Sequence, residues 1–263
     1  MGGEWPIQFF PFAYPEQPLQ MQELLDCDVV IYCAAAGVQA NAKIAVQDVY
    51  EINAFIPIKI AAYLDENHFL GKWISFGTYF EIGNNNTINF FKEVDVVTSQ
   101  LAVPNHYCSS KRLLSRFFNN NSVSINWWHL ILPTIYGPRE NSSRLIPYIV
   151  SCLKASNPPR LSAGNQIRQY IHCKDIVSLI NQLLEKEVTS GIYNIASDES
   201  IKIADLVQMI FSKFNKSASE SLGLIASRDE SMQVLLLNAD KISVHLPEWQ
   251  PNISLSDGIA DYF

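Results

Sequence analysis

The stretch Pro104–Phe118, PNHYCSSKRLLSRFF, decides how the chain is read. It has the pattern of a helix, with Leu113, Leu114, Phe117 and Phe118 supplying a buried stripe. Tyr107 and Lys111 stand at i and i+4, which places both side chains on one face, a turn apart. A positive charge beside a phenol favours phenolate, so the pair predicts a Tyr107 pKa lowered from its ordinary value of about 10. A tyrosine so tuned exchanges a proton with a hydroxyl. The same spacing recurs at Tyr170 and Lys174, inside YIHCKDIV. That segment alternates like a strand and its end, where i and i+4 share no helical turn, so it is set aside.

Working outward, Ile7–Tyr14 reads as a strand and MQELL as one or two helical turns. Asp28–Gly37, DVVIYCAAAG, is a β-branched run ending in small residues. That is the mark of a buried parallel strand whose carboxyl end stays open to a ligand. Ile44–Leu64 has helical spacing with Asn53 inside it. Gly71–Phe80 is the next strand and carries hydroxyls at Ser75 and Thr78. Val123–Leu132 is another strand, broken by PTIYGPRE. Strand and helix thus alternate from Ile7 to Pro138, which predicts an α/β fold, a Rossmann-like doubly wound parallel sheet. Beyond Pro138 the expected elements are a helix at Leu145–Lys154, a strand in GNQIRQYIHCKD and a helix at Ile176–Glu187. A short strand in GIYNIAS and a helix at Ile203–Phe214 follow.

Composition narrows the function classes. The net charge is −7 and no basic cluster occurs, which argues against nucleic acid and anionic membrane surfaces as partners. Apolar residues make up 48% of the chain, yet no apolar run approaches the ~20 residues of a membrane span. The cysteine count is odd, at 5, with no C-x-x-C, and the histidines are scattered. Reduced thiols, no metal site and a cytoplasmic location are the expectation.

The motifs then fall into one order: C-A-A-A-G, a helix with Asn53, S-F-G-T, Y-C-S-S-K, L-P-T-I-Y-G-P, G-N-Q-I-R-Q-Y-I-H-C-K-D, I-Y-N-I-A-S and E-W-Q-P-N-I-S-L-S-D-G-I. From about residue 20 to 263 this resembles the extended short-chain dehydrogenase/reductase family, the NAD-dependent epimerase/dehydratases of nucleotide sugars. The block Leu145–Ile176, with Arg228-Asp229-Glu230, is similar to the CDP-abequose synthase type of sugar reductase. The resemblance implies NAD or NADP as cofactor and a UDP-, CDP- or dTDP-sugar as substrate; an unpaired apolar edge at Asp28–Tyr32 would invite a homodimer. The resemblance also implies a partial dinucleotide-binding domain at 1–138 and a smaller α/β substrate-binding domain at 139–263, with about 165–200 returning in part to the first. Tyr107 would be the acid/base, and Lys111 would hold the nicotinamide ribose. Cys33, Ala34, Ala35, Asn53, Pro133 and Thr134 would lie along or behind the cofactor. Arg168 would grip the diphosphate, with Arg228 and Arg144 as further cationic contacts.

Two departures carry consequences. Phe76 stands where the family has Ser or Thr, so the hydroxyl that polarises the substrate must come from Thr78 or Ser75, with Thr78 favoured. The family's opening strand, G-x-x-G-x-x-G turn and helix are not found, so the Rossmann-like part reads as truncated at its N-terminus. That predicts weak or no binding of NAD or NADP by residues 1–263. Two readings follow: an epimerase, dehydratase or reductase acting by hydride transfer, or a sugar-nucleotide-binding or interaction protein without catalysis.

Overall fold

The computed structural model describes residues 12–37, 44–226 and 231–263. Its strands are β1 (Val29–Tyr32), β2 (Lys72–Thr78), β3 (Phe90–Phe91), β4 (Asn126–Leu132), β5 (Thr134–Tyr136), β6 (Ile167–His172), β7 (Gly191–Asn194), β8 (Ser200–Lys202) and β9 (Val234–Leu237). Four form one parallel sheet in the order β1-β2-β4-β7. Successive side chains of a strand face opposite sides. Trp73 and Ile131 accordingly join a core on one face of this sheet, and Ile74 and Leu130 join another on the other face. Burial on both faces explains why these strands read as continuous apolar runs rather than alternating ones.

Two helices cover the first face. The predicted helix at Ile44–Leu64 is a continuous helical run of three parts: α1 (Val46–Tyr50), a π-helical turn (Glu51–Phe55) and α2 (Ile56–Glu66). Pro57 lies at the start of α2. A proline inside a helix has no N–H to give and crowds the carbonyl four residues back, and a π turn absorbs that mismatch. After α3 (Glu93–Thr98) comes α4 (His106–Asn120), the tyrosine helix, capped by the Asn105 side chain accepting from Cys108 N at 3.0 Å. Leu114 and Phe118 of α4 pack with Ile60 and Leu64 of α2.

The second sheet has the order β3-β9-β6-β5, with β8 antiparallel to β6. α5 (Leu145–Lys154) and α7 (Ile203–Ser212) pack around Tyr136 and Tyr170. Between them in sequence, α6 (Cys173–Glu185) follows β6 directly and covers the far face of the first sheet through Ile176, Leu179 and Leu183.

The predicted strand Ile7–Tyr14 lies mostly outside the described residues. The part described, Phe12–Tyr14, is a turn closed by a single bridge between Ala13 and Gln17.

Arg112, half-way along α4, ties the helix to the loop that precedes it. Its guanidinium donates to the carbonyls of Glu81, Ile82 and Leu101. Arg112→Met keeps the aliphatic stem but strands those carbonyls. It should lower stability by about 1.5–3 kcal/mol, read as a shift in the urea unfolding midpoint at constant slope.

Candidate active site

The site lies at the carboxyl ends of β1, β2 and β4. β1 pairs with β2 only as far as Ser75, whereas β4 pairs with it to Thr78. The last three residues of β2 therefore have a strand on one side alone, and a crevice opens on the other.

One wall of the crevice is the chain leaving β1. Cys33, Ala34 and Ala35 are exposed, and Ala36 is buried. Asn53, in the π turn, is fully buried and fixes that wall. Ala36 N donates to Asn53 Oδ1 at 2.8 Å, and Asn53 Nδ2 donates to Ala36 O at 2.8 Å and to Ser110 Oγ at 3.0 Å. Asn53 thus joins the β1 exit to α4. Gly37 follows with φ +77°, and a side chain there would press on Val49.

The other wall is α4. The half-buried Tyr107 phenol feels the Thr78 side chain, at the end of β2. Lys111 is buried, and its Nζ donates to Phe76 O at 3.0 Å. The structure corrects one expectation: the Tyr107 pKa is raised, not lowered. Burial is the main cause, and the Glu81 and Cys108 charges add to it, while Thr78 and Arg144 oppose it. The Lys111 ammonium is spent on a carbonyl of β2 rather than on the phenol. Burial also lowers the Lys111 pKa, opposed by Glu81 and Cys33, and it raises that of Cys33, opposed by Lys111.

Behind Thr78 lies a polar layer that sequence reading passed over. Glu81 is fully buried and its Oε1 accepts from Thr78 N at 2.7 Å. His129 on β4 is equally buried, and burial, with Lys111 nearby, pushes its pKa down to about 3, so its ring is neutral. Ser75 Oγ lies 2.9 Å from His129 Nδ1, and Ser115 Oγ 2.8 Å from Nε2. Of the two candidate hydroxyls, Thr78 faces Tyr107 and Ser75 is engaged by His129. The signal for Glu81 was present: Thr78-x-x-Glu81 has the spacing of a capping box, and it caps the 3-10 turn Tyr79–Ile82. His129 stood unmarked inside an apolar strand.

The remaining candidates are spread more widely. Pro133 is buried, and Thr134 Oγ1 meets the Tyr79 hydroxyl at 2.5 Å. Arg144 Nη2 donates to Ile135 O at 2.9 Å, its Nε lies 3.5 Å from Glu140, and its charge reaches Tyr107. Arg168 is buried on β6 and donates to the carbonyls of Ile167, Met232 and Gln233 at 2.6–3.2 Å, so its fork is occupied by main chain. Arg228 lies outside the described residues. Tyr170 is on β6, and Lys174, on α6, pairs with Asp261 at 2.9 Å, so these two form no second site.

No metal-binding cluster and no helix long and apolar enough to cross a membrane occurs among the described residues. The exposed backbone of Cys33–Ala35, with Lys111 and Tyr107, suits the ribose-and-ring half of a nicotinamide dinucleotide. Its diphosphate normally rests on a glycine-rich turn at a helix start. Among the described residues no such turn joins a strand to a helix.

A raised Tyr107 pKa makes a simple prediction. The ultraviolet difference between wild type and Tyr107→Phe should show no phenolate band growing in below about pH 10, the ordinary tyrosine value. A band that grows in near neutrality would restore the lowered value.

Residues 16–196 match the NAD dependent epimerase/dehydratase family. The chain is 26% identical over 184 residues to the CDP-abequose synthase of Salmonella typhimurium, covering 67% of this chain and 60% of that protein. It is 27% identical over 195 residues to the dTDP-glucose 4,6-dehydratase of Escherichia coli, covering 68% and 51%. The chain thus spans about half to three-fifths of the length of these curated relatives. Among solved structures, the UDP-glucuronic acid 4-epimerase of Bacillus cereus, in complex with UDP-glucuronic acid and NAD, superposes with a TM-score of 0.78 at 22% identity. That match covers 93% of this chain and 77% of the other, and it shows the shared Rossmann-like fold. On the family match and the fold together, the chain belongs to the NAD-dependent epimerase/dehydratase family.

Proposed function

We propose that the chain binds a nucleotide sugar in the crevice at the carboxyl end of β2 and exchanges a proton with a sugar hydroxyl through Tyr107. The observation that carries this reading is Tyr107 on α4, one helical turn from Lys111, with Thr78 among the groups acting on its phenol. Thr78 orients the phenol and shares its proton. Lys111 places a positive charge at the edge of the crevice and anchors β2. Asn53 holds the Ala36 peptide and so fixes the wall opposite. A nicotinamide, when bound, would accept or return the hydride that a change at a sugar carbon requires. Epimerase, dehydratase and reductase chemistries all use this proton-transfer unit.

The nucleotide end is assigned to Arg168, with Arg228 as a further cationic contact. Met232 and Gln233, whose carbonyls Arg168 holds, follow closely on the segment that carries Arg228. A diphosphate taking the guanidinium fork would replace those carbonyls, and the charged acceptor would make the stronger bonds.

A second reading draws on the resting site, where burial raises the Tyr107 pKa and Lys111 is committed to a main-chain carbonyl. On it, the chain binds a nucleotide sugar without turning it over. Calorimetric titration with UDP-, CDP- and dTDP-sugars tests binding, and titration with NAD and NADP separates the two readings. Micromolar cofactor binding favours the enzyme, and none favours the binder. With cofactor bound, Tyr107→Phe should cut turnover by at least about 10²-fold, the scale of general acid–base catalysis. Nucleotide-sugar affinity should stay unchanged. Retained turnover overturns the role of Tyr107, and no affinity for any of the sugars overturns the function.

A further inference from the structure

The polar layer behind Thr78 contains an acid for which the mechanism above has no use. Glu81 is fully buried; its Oε1 is hydrogen-bonded, and its Oε2 lies buried without a hydrogen-bond partner. Oε1 accepts from Thr78 N at 2.7 Å, and Arg112 holds the carbonyl of the same residue. Gly77 leaves room for it: a Cβ on Gly77 would sit 2.8 Å from Glu81 Oε1 and 2.8 Å from His129 Nε2. Three consecutive residues of β2 are therefore gripped in turn. Lys111 takes Phe76 O, Glu81 and His129 close over Gly77, and Glu81 takes Thr78 N.

We propose that Glu81 is a positioning residue for the Tyr107 site, holding Thr78 by its main-chain N–H and serving as the internal counter-charge that keeps Lys111 an ammonium. Its consequence for turnover rests on the function proposed above; the coupling of Glu81 to Lys111 does not.

The surrounding groups single out Glu81 for this task. Lys111 is faced by Glu81 from the turn after β2, by Cys33 from the end of β1 and by His129 from β4. His129 is neutral, and burial raises the Cys33 thiol, which keeps it protonated. Glu81 is faced by Lys111, Arg112 and Ser115 from α4 and by Tyr107. The Arg112 fork is committed to carbonyls. Burial raises the Glu81 pKa and lowers that of Lys111, and each charge offsets the other's shift. Two groups in this relation titrate as a pair, and removing one leaves the other an uncompensated buried charge that gives up its ionisation.

The experiment uses the full chain with isotopically labelled lysine. The Lys111 side-chain resonance, assigned through Lys111→Arg, is followed against pH in wild type and in Glu81→Gln. Glutamine keeps an oxygen for Thr78 N and removes only the charge. The Lys111 midpoint should fall by at least about one pH unit, a tenfold rise in its neutral fraction. The pH profile of nucleotide-sugar turnover should move the same way. An unmoved midpoint overturns the proposal and leaves Glu81 as a turn cap. The lysine titration needs no substrate, so a chain that binds no nucleotide sugar would sink the proposed function while this result still stood. Should Glu81→Gln fail to fold, the wild type decides. The Glu81 carboxyl carbon should sense the Lys111 titration step as well as its own, and a carboxyl resonance blind to the Lys111 step overturns the proposal.

Discussion

The constraint on which the site depends is the open side of β2 at its carboxyl end. A buried peptide group must find a partner, and beyond Ser75 the neighbouring strand β1 no longer runs alongside to provide one. Phe76 O and Thr78 N are met instead by the side chains of Lys111 and Glu81. The sheet is thus finished by two ionisable side chains, whose charges are costly to bury singly and tolerable together. Their placement explains several neighbouring features. Residue 77 is glycine because a carboxylate and an imidazole occupy the space above it. Arg112 holds the Glu81 carbonyl, and so ties the turn that carries the acid to the helix that carries the base.

Most of the fold was legible because its signals are local or periodic. β1, β2 and β4 are β-branched and aromatic runs bounded by breakers, and α4 and α5 have clear apolar faces. What escaped has no local signature. β3 is two residues long and exists because β9 lies beside it, and β8 depends in the same way on β6. The helix over Ile44–Leu64 was read correctly as helix, yet its π turn depends on Pro57 and on where Asn53 must point to reach Ala36.

The site divides along the same line. Spacing alone placed Tyr107 and Lys111 on one face, and the small residues after β1 marked an open strand end. Spacing carried no information on burial, and burial reverses the expected shift of the phenol. Nor does it show how a charged side chain is used: Lys111 and Arg168 both donate to main-chain carbonyls. Glu81 showed only as a capping-box residue, and His129 not at all, for a related reason. Each is a single polar residue in an apolar setting, and only the tertiary structure brings them together with Ser75 and Ser115 over one glycine.

Fold membership does not by itself settle chemistry, since one architecture carries many reactions. The protonation pattern of the crevice narrows it further. Tyr107 is held neutral by burial and by the nearby carboxylate, and His129 is neutral behind it. On the proposed reading the resting site therefore holds a proton ready to give. A neutral phenol donates to the oxygen of a keto sugar as that oxygen gains charge, whereas abstraction from a hydroxyl first requires the phenol to ionise. Ionisation becomes easier only as positive charge near the phenol grows or the carboxylate beside it is neutralised. The same acid that fixes Thr78 thus works against phenolate. The balance between Glu81 and Lys111 is then what decides whether Tyr107 serves as the donor or the acceptor of the proton.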